Sequence, residues 1–252
     1  MQVIFLRKRF LVWLVLVCLV CVMIISFTYG QEKKKRAAIE AMSWAIAGRT
    51  ILIDPGHGGE DPGKVSAGGV LEKDINLAVA KKLYALLLQG CGDIYLTRTE
   101  DKALSNQEAT VRARKRADLQ KRVELIRETK ADLYIAIHCN AFPASRWFGA
   151  QTFYAPDVLG SKELATCIQE ELIAFPGKTT RKAKADTVSY IFKRGEIPLV
   201  NVELGFLSNP QEEQLLQDSA YQDKLVWSIY AGIVRYLIEY GDQYRPTSLF
   251  LK

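Results

Sequence analysis

Short apolar runs that end in turn residues alternate along this chain with longer stretches in which apolar residues recur every three or four positions. The first pattern is that of buried strands and the second that of amphipathic helices. On this reading residues 50–54, 93–97, 133–138, 151–155, 188–192 and 199–204 are strands. Residues 72–89, 118–129, 160–173 and 220–240 are helices, with a short one at 210–217. Gly90 suits the residue just past the end of the first helix, and Asp118 suits the N-cap of the second. Strands alternating with helices predict an α/β layered sheet.

One apolar run breaks this rhythm. Phe10 to Phe27 carries no charge and comes after Arg7, Lys8 and Arg9. It reads as a signal peptide or a membrane signal-anchor, and the uncleaved anchor is favoured because Thr28-Tyr29-Gly30 is a weak cleavage site. Lys33–Arg36 on the far side blurs the positive-inside bias. Both readings export the rest of the chain. The expected organisation is a signal or anchor over 1–30, a polar linker over 31–48, a single domain over 49–240 and a peripheral tail over 241–252 with Pro246.

Charge then narrows the partners. Residues 1–48 hold seven basic and two acidic groups, which leaves +1 of the net +6 for the rest. A nearly neutral domain argues against nucleic acid as partner. The run Arg112-Ala113-Arg114-Lys115-Arg116 is a local exception and reads as a solvated face. Cys18 and Cys21 have C-x-x-C spacing but lie inside the apolar run, where they fill space. Cys91, Cys139 and Cys167 give no paired framework, so a disulfide scaffold is not expected.

The chemistry sits at the ends of the strands. The sequence has two histidines. His57 comes after Ile51–Pro55 in Asp54-Pro55-Gly56-His57-Gly58-Gly59, and His138 closes Tyr134-Ile135-Ala136-Ile137-His138. They are either unrelated polar strand-end residues or members of one metal site, and spacing alone leaves both open. Asp54 is placed to accept the second ring N–H of a metal-bound histidine. Glu72 sits where a glycine-flanked loop enters a helix. A carboxylate is favoured there even without a metal, because the helix N-terminus is partly positive. Two histidines and a glutamate from separate segments would leave one coordination position open, which is the catalytic zinc pattern. Period two puts Tyr134, Ala136 and His138 on one face and turns Cys139 away. The same alternation groups Leu199, Asn201 and Glu203. Glu203 ends an apolar strand, where a carboxylate is costly unless it is paired or functional. It is therefore either a salt-bridged strand end or a general base.

These four segments, in this order, resemble the zinc-dependent N-acetylmuramoyl-L-alanine amidases of the Amidase_3 family, from about Arg49 to Tyr240. Ala41–Trp44, Asp118–Val123, Gly149–Phe153 and Gly205–Pro210 are similar to its sporulation branch. The resemblance implies a roughly six-stranded mixed sheet with helices on both faces. It implies Zn²⁺ held by His57, Glu72 and His138, with Glu203 as the catalytic base. It further implies cleavage between the lactyl group of N-acetylmuramic acid and L-alanine in spore-cortex peptidoglycan, toward muramic δ-lactam. The partners it implies are peptidoglycan, the membrane through the N-terminal segment, a sporulation accessory protein and a muramic acid deacetylase acting on the product. The location it implies is the outer side of the cytoplasmic membrane, which in a sporulating cell is the forespore intermembrane space. Two positions depart from the family: Ala136 stands where serine is usual, and Asn201 where an apolar residue is commoner. The interval between His138 and Glu203 is too short for the helical insert that covers the metal in some relatives. Rival readings are another zinc hydrolase of the wall, a carboxypeptidase or deacetylase, and a non-catalytic wall-binding or regulatory domain.

Overall fold

The computed structural model of the protein describes residues 2–105 and 107–244. It comprises two units, Met1–Met42 and Ser43–Lys252. The first is one helix, α1 (Gln2–Ala41). Within it Trp13–Gln31 has a mean hydropathy of 2.4 and is long and apolar enough to cross a membrane. At 1.5 Å per residue such a stretch reaches about 28 Å, close to the hydrocarbon thickness of a bilayer.

The linker expected at 31–48 is replaced by structure. Residues 31–41 continue α1. They are rich in Lys, Arg, Ala and Glu, and extending a helix already nucleated costs little. Ser43–Ile46 forms a short 3-10 turn that buries Ala45 and Ile46. The second unit thus begins six residues before Arg49.

That unit runs β1 (Thr50–Pro55), α2 (Glu72–Leu87), β2 (Asp93–Leu96), α3 (Val111–Glu128), β3 (Leu133–Asn140), β4 (Gln151–Tyr154), α4 (Ser161–Ala174), β5 (Lys184–Ala185), β6 (Leu199–Phe206), α5 (Pro210–Gln217) and α6 (Ser219–Tyr240). The six strands lie in the order β2-β1-β3-β6-β4-β5. All neighbours are parallel except β4 and β6. The sheet is therefore mixed, with its parallel strands β1, β3 and β6 at the centre. Period two sends Leu52, Tyr134, Ala136 and Leu199 to one face, where Val123 and Ile126 of α3 cover them. Ile51, Ile53, Ile135, Ile137, Val200 and Val202 are fully buried on the other, the side of α2, α4 and α6. Near-continuous apolar runs in the central strands result from burial on both faces.

Three expected elements differ. Residues 188–192 are not a strand, and the fifth strand, β5, is Lys184–Ala185. Ile191 and Phe192 are nevertheless buried. They plug the α3-side core from a turn closed by Arg194 and Gly195 amides on the Ile191 carbonyl, so packing overrode a β-like composition. Helix α3 starts at Val111, and its N-cap is Thr110, whose hydroxyl accepts from the Ala113 amide at 3.2 Å. Asp118 is therefore not a cap but sits inside α3. Its first turns carry Arg and Lys with little apolar periodicity, which hid them. Finally, Gly90 is not the left-handed residue after α2. A 3-10 turn (Leu88–Gly90) intervenes and Cys91 takes that conformation, with φ of 58°. Of the expected tail, residues 245–252, with Pro246, lie outside the described residues.

Candidate metal centre

The parallel strands β1 and β3 end side by side, with Pro55 opposite Ile137. The chain therefore delivers His57 and His138 to the same edge of the sheet. Gly56 allows the approach: a Cβ there would lie 2.1 Å from the His138 ring. His57 itself has a φ of 65°, a left-handed conformation that non-glycine residues adopt rarely. Two buried guanidinium groups hold it there. Arg98 donates to the carbonyls of Pro55 and Gly56 at 2.9 and 3.0 Å, and Arg122 to that of His57 at 3.0 Å.

Glu72 opens α2 and points back to the same place. It is 2% exposed. Its Oε1 lies 3.2 Å from His57 Nε2 and 2.9 Å from His138 Nδ1. The Lys64 and Cys139 amides also donate to its carboxylate, at 2.8 and 3.1 Å. The imidazole rings stand edge to face with centroids 5.0 Å apart. One ligand atom from each of His57, Glu72 and His138 falls within a 4.8 Å cluster. Burial alone would raise the Glu72 pKa. The hydrogen bonds and charges of both histidines outweigh it and hold the carboxyl well below its usual range. A carboxylate that stays ionised between two imidazoles is a donor set suited to zinc. Gly63 keeps the space clear, since its Cβ would meet Glu72 Oε2 at 2.6 Å and His57 at 2.7 Å.

Asp54 does not serve the histidines as expected. It is buried in an ion network with Arg122, and Tyr134 and Thr97 donate to it. The partner of His57 is Asp61, whose Oδ2 lies 2.9 Å from Nδ1. Burial opposes protonation of His57, but Asp61 and Glu72 prevail and raise its pKa to about 9. Sequence reasoning missed Asp61, although its position four residues past His57 in a glycine-rich turn was a usable signal. It also missed Arg98 and Arg122, which no local pattern marks.

Glu203 lies in the neighbouring strand. It is the register partner of His138, as Asn201 is of Ala136. The two positions that depart from the family pattern are thus direct neighbours. Asn201 Nδ2 donates to Glu203 Oε1 at 3.0 Å, while Glu203 Oε2 is buried without a hydrogen-bond partner among the described residues. Burial raises the Glu203 pKa and Glu72 adds to it, against the charges of His138 and His57 and the Asn201 bond. A carboxyl raised in this way is poised to exchange protons nearer neutrality. Cys139 is buried, which pushes its thiol well up and keeps it protonated.

The family model described as N-acetylmuramoyl-L-alanine amidase (Amidase_3) matches residues 51–235. The chain is 40% identical over 220 residues to the germination-specific N-acetylmuramoyl-L-alanine amidase of Bacillus subtilis, covering 87% of this chain and 92% of that protein. Among solved structures it is similar to the CwlD amidase from Clostridioides difficile, determined in complex with the GerS lipoprotein. That match has a TM-score of 0.73 and 43% identity, over 75% of this chain and 98% of the other. The catalytic domain of CwlV from Bacillus (Paenibacillus) polymyxa var. colistinus is similar at a TM-score of 0.66 and 30% identity, over 75% and 98%.

Proposed function

The chain belongs to the N-acetylmuramoyl-L-alanine amidase family, and we propose that it works as a zinc hydrolase in which His57, Glu72 and His138 hold the ion and Glu203 handles the proton. The chain is a peptidoglycan amidase: it cleaves the amide between the lactyl group of N-acetylmuramic acid and L-alanine of the stem peptide. The observation that carries the zinc reading is the convergence of two imidazoles and one ionised carboxylate within 4.8 Å, on three separate segments.

When bound, zinc lowers the pKa of water and polarises the amide carbonyl. The residues of the chain do the rest. Glu203 accepts the proton of the attacking water and returns it to the departing α-amine of L-alanine. Its raised pKa favours the protonated form needed for the second step. Asn201 fixes one carboxylate oxygen and leaves the other for the reacting groups. Asp61 orients the His57 ring through Nδ1, so that Nε2 faces Glu72 and the site. Arg98 and Arg122 lock the backbone of that loop.

The setting is inferred from the relatives. One is a germination-specific amidase and another was solved with a lipoprotein. These support a role for this chain in spore-cortex peptidoglycan, with a lipoprotein-like accessory partner. Removal of the peptide frees the lactyl carboxyl, which a deacetylase acting on the same sugar would let close to muramic δ-lactam. The Trp13–Gln31 helix supports anchoring at the membrane with the catalytic unit outside the cytoplasm.

Mass spectrometry of muropeptides after incubating intact wall with zinc-loaded protein tests the reading. The expected products are free stem peptide and peptide-free muramic acid. Free D-alanine would instead indicate a carboxypeptidase and acetate a deacetylase. An unchanged wall would leave a non-catalytic binding domain.

A further inference from the structure

Beside the metal centre lies a surface that the hydrolytic steps do not use. The β6 register carries it outward from Glu203. Gln151 of β4 is the cross-strand partner of Glu203, and directly opposed residues on antiparallel strands share a face. Gln151 Oε1 accepts from Arg181 Nη1 at 3.4 Å. The Arg181 guanidinium lies 4.8 Å from the ring centre of Phe206 and 5.6 Å from that of Trp147, and its Nε donates to the Phe148 carbonyl at 2.9 Å. A register shift after His138 places Phe206 opposite Asn140, and Gln151 links this arginine to the strand position opposite the proposed base. Arg146 covers Trp147 at 5.3 Å.

Trp147 is 39% exposed and Phe148 58%. Residues 141–155 and 173–185 contain Arg146, Lys178, Arg181, Lys182 and Lys184 and no acidic residue. They border one another at the β4–β5 edge, where Gln151 Nε2 donates to the Lys182 carbonyl at 3.0 Å and Phe153 pairs with Lys184. The acidic group facing Arg181 from below is Glu212, whose carboxylate is engaged by the Gly149 and Phe206 amides. Residues 49–252 as a whole carry a net charge of only +1, so these cations make a concentrated positive surface with aromatic faces.

We propose that Arg181, flanked by Trp147 and supported by the cations around it, is a subsite for the free carboxylates of the peptidoglycan stem peptide. The inference rests on the amidase reading and adds to it how the substrate is held. Three features favour this occupant. The surface is continuous with the proposed base through Gln151. It presents a planar guanidinium that matches a carboxylate. Its charge complements an acidic peptide, and its aromatic faces suit the apolar stems of peptide and sugar.

The test is binding of the full chain, in detergent micelles and in a Glu203→Gln background that leaves the wall intact, to pelleted sacculi. One set keeps its stem carboxylates and the other has them converted to amides. Binding to native sacculi should be about tenfold or more tighter, as for loss of a charge-assisted hydrogen bond. Arg181→Gln should remove that preference while leaving binding to the amidated wall unchanged. Arg146→Gln, at an exposed site with no side-chain hydrogen bond among the described residues, should reduce it partially. Lys224→Gln on α6 is the control for unspecific charge and should change nothing. Equal binding of both walls by the parent chain would overturn the proposal, and so would equal loss on both walls in Arg181→Gln or loss in Lys224→Gln. Failure of the amidase reading would show separately, as absence of stem peptide after digestion with the native protein.

Discussion

Two polar clusters sit within four residues of each other at the end of β1, and they differ in how their atoms are used. The first is closed. Asp54 takes hydrogen bonds from Arg122, Thr97 and Tyr134; Arg122 also reaches Asp118 at 2.7 Å and the Pro55 and His57 carbonyls. Every strong donor faces a strong acceptor, and burial with Arg122 leaves Asp54 with a lowered pKa despite desolvation. The second is open. In it two imidazoles and a carboxylate converge within 4.8 Å, and Glu203 and Asn201 keep buried oxygens without partners among the described residues. A satisfied buried network fixes a loop. A convergent cluster of metal-ligating groups has room for a cation and a reaction.

Breaking the open cluster should have the largest effect. Glu72→Gln or His138→Ala should lose zinc and activity together, and chelation of the parent protein should lower its melting temperature, since a ligand of the folded state stabilises it. Stoichiometric zinc in both variants by elemental analysis would refute the ligand set. Glu203→Gln separates base from ligand. It should keep zinc and fold but lose about 10²–10⁴-fold in the rate of stem-peptide release. Undiminished activity would sink the proton assignment, and a zinc-free variant would mean that Glu203 is a ligand.

Breaking the closed cluster should cost stability. Arg122→Met leaves Asp54 buried and unpaired, at a cost of about 3–5 kcal/mol. Denaturant unfolding measures this, and a loss below about 1 kcal/mol would show the network to be dispensable. Acid should do the same work gradually. The Asp54 carboxyl has a lower pKa folded than unfolded. Its contribution is therefore present above the unfolded value of roughly 4 and is lost as pH falls through the folded one. In Asp54→Asn the slope of stability against pH below about 4 should flatten by up to one proton.

The open cluster was legible in the sequence and the closed one was not. His57, His138 and Glu203 each read in the sequence as the close of an apolar strand, although in the structure His57 lies two residues past β1 and the other two lie inside β3 and β6. Register then does the assembly, because parallel neighbours finish at one edge. Glu72 was visible only as a helix start, and the fold decided what it faces. Arg122 looks like any helical cation until α3 is laid on the sheet. Its pairing with Asp54 spans 68 positions, and nothing local encodes it. Likewise Asp54 was assigned to a histidine because the two are close in sequence. In the structure His57 takes a left-handed conformation and its Nδ1 meets Asp61, not Asp54. The start of α3 and the false strand at 188–192 failed for two reasons: a charged helix has weak periodicity, and a buried turn can be β-like in composition.

The smallest expected effect lies between the clusters, at Asp61. Its Oδ2 holds His57 Nδ1 at 2.9 Å, its Oδ1 accepts from the Gly63 amide at 3.1 Å, and Lys115 approaches to 3.4 Å. Asp61→Asn keeps the shape and one acceptor but removes the charge that makes the imidazole more basic. Loss of such an outer partner typically weakens metal binding by about 10–100-fold. Competition with a chromophoric chelator should read that loss while the fold stays intact. The metal-free protein supplies an independent readout. His57 has a folded pKa of about 9, against an ordinary value of 6.5. Its charge therefore stabilises the metal-free fold fully below about 6.5, and that contribution fades as pH rises through about 9. In Asp61→Asn the histidine titration followed by NMR should move down from about 9, because Glu72 alone remains as its anionic partner. The fading of stability should begin at correspondingly lower pH. Unchanged zinc affinity together with an unchanged His57 titration would show that Asp61 merely closes the turn, and would return the orientation of His57 to the arginines that grip its backbone.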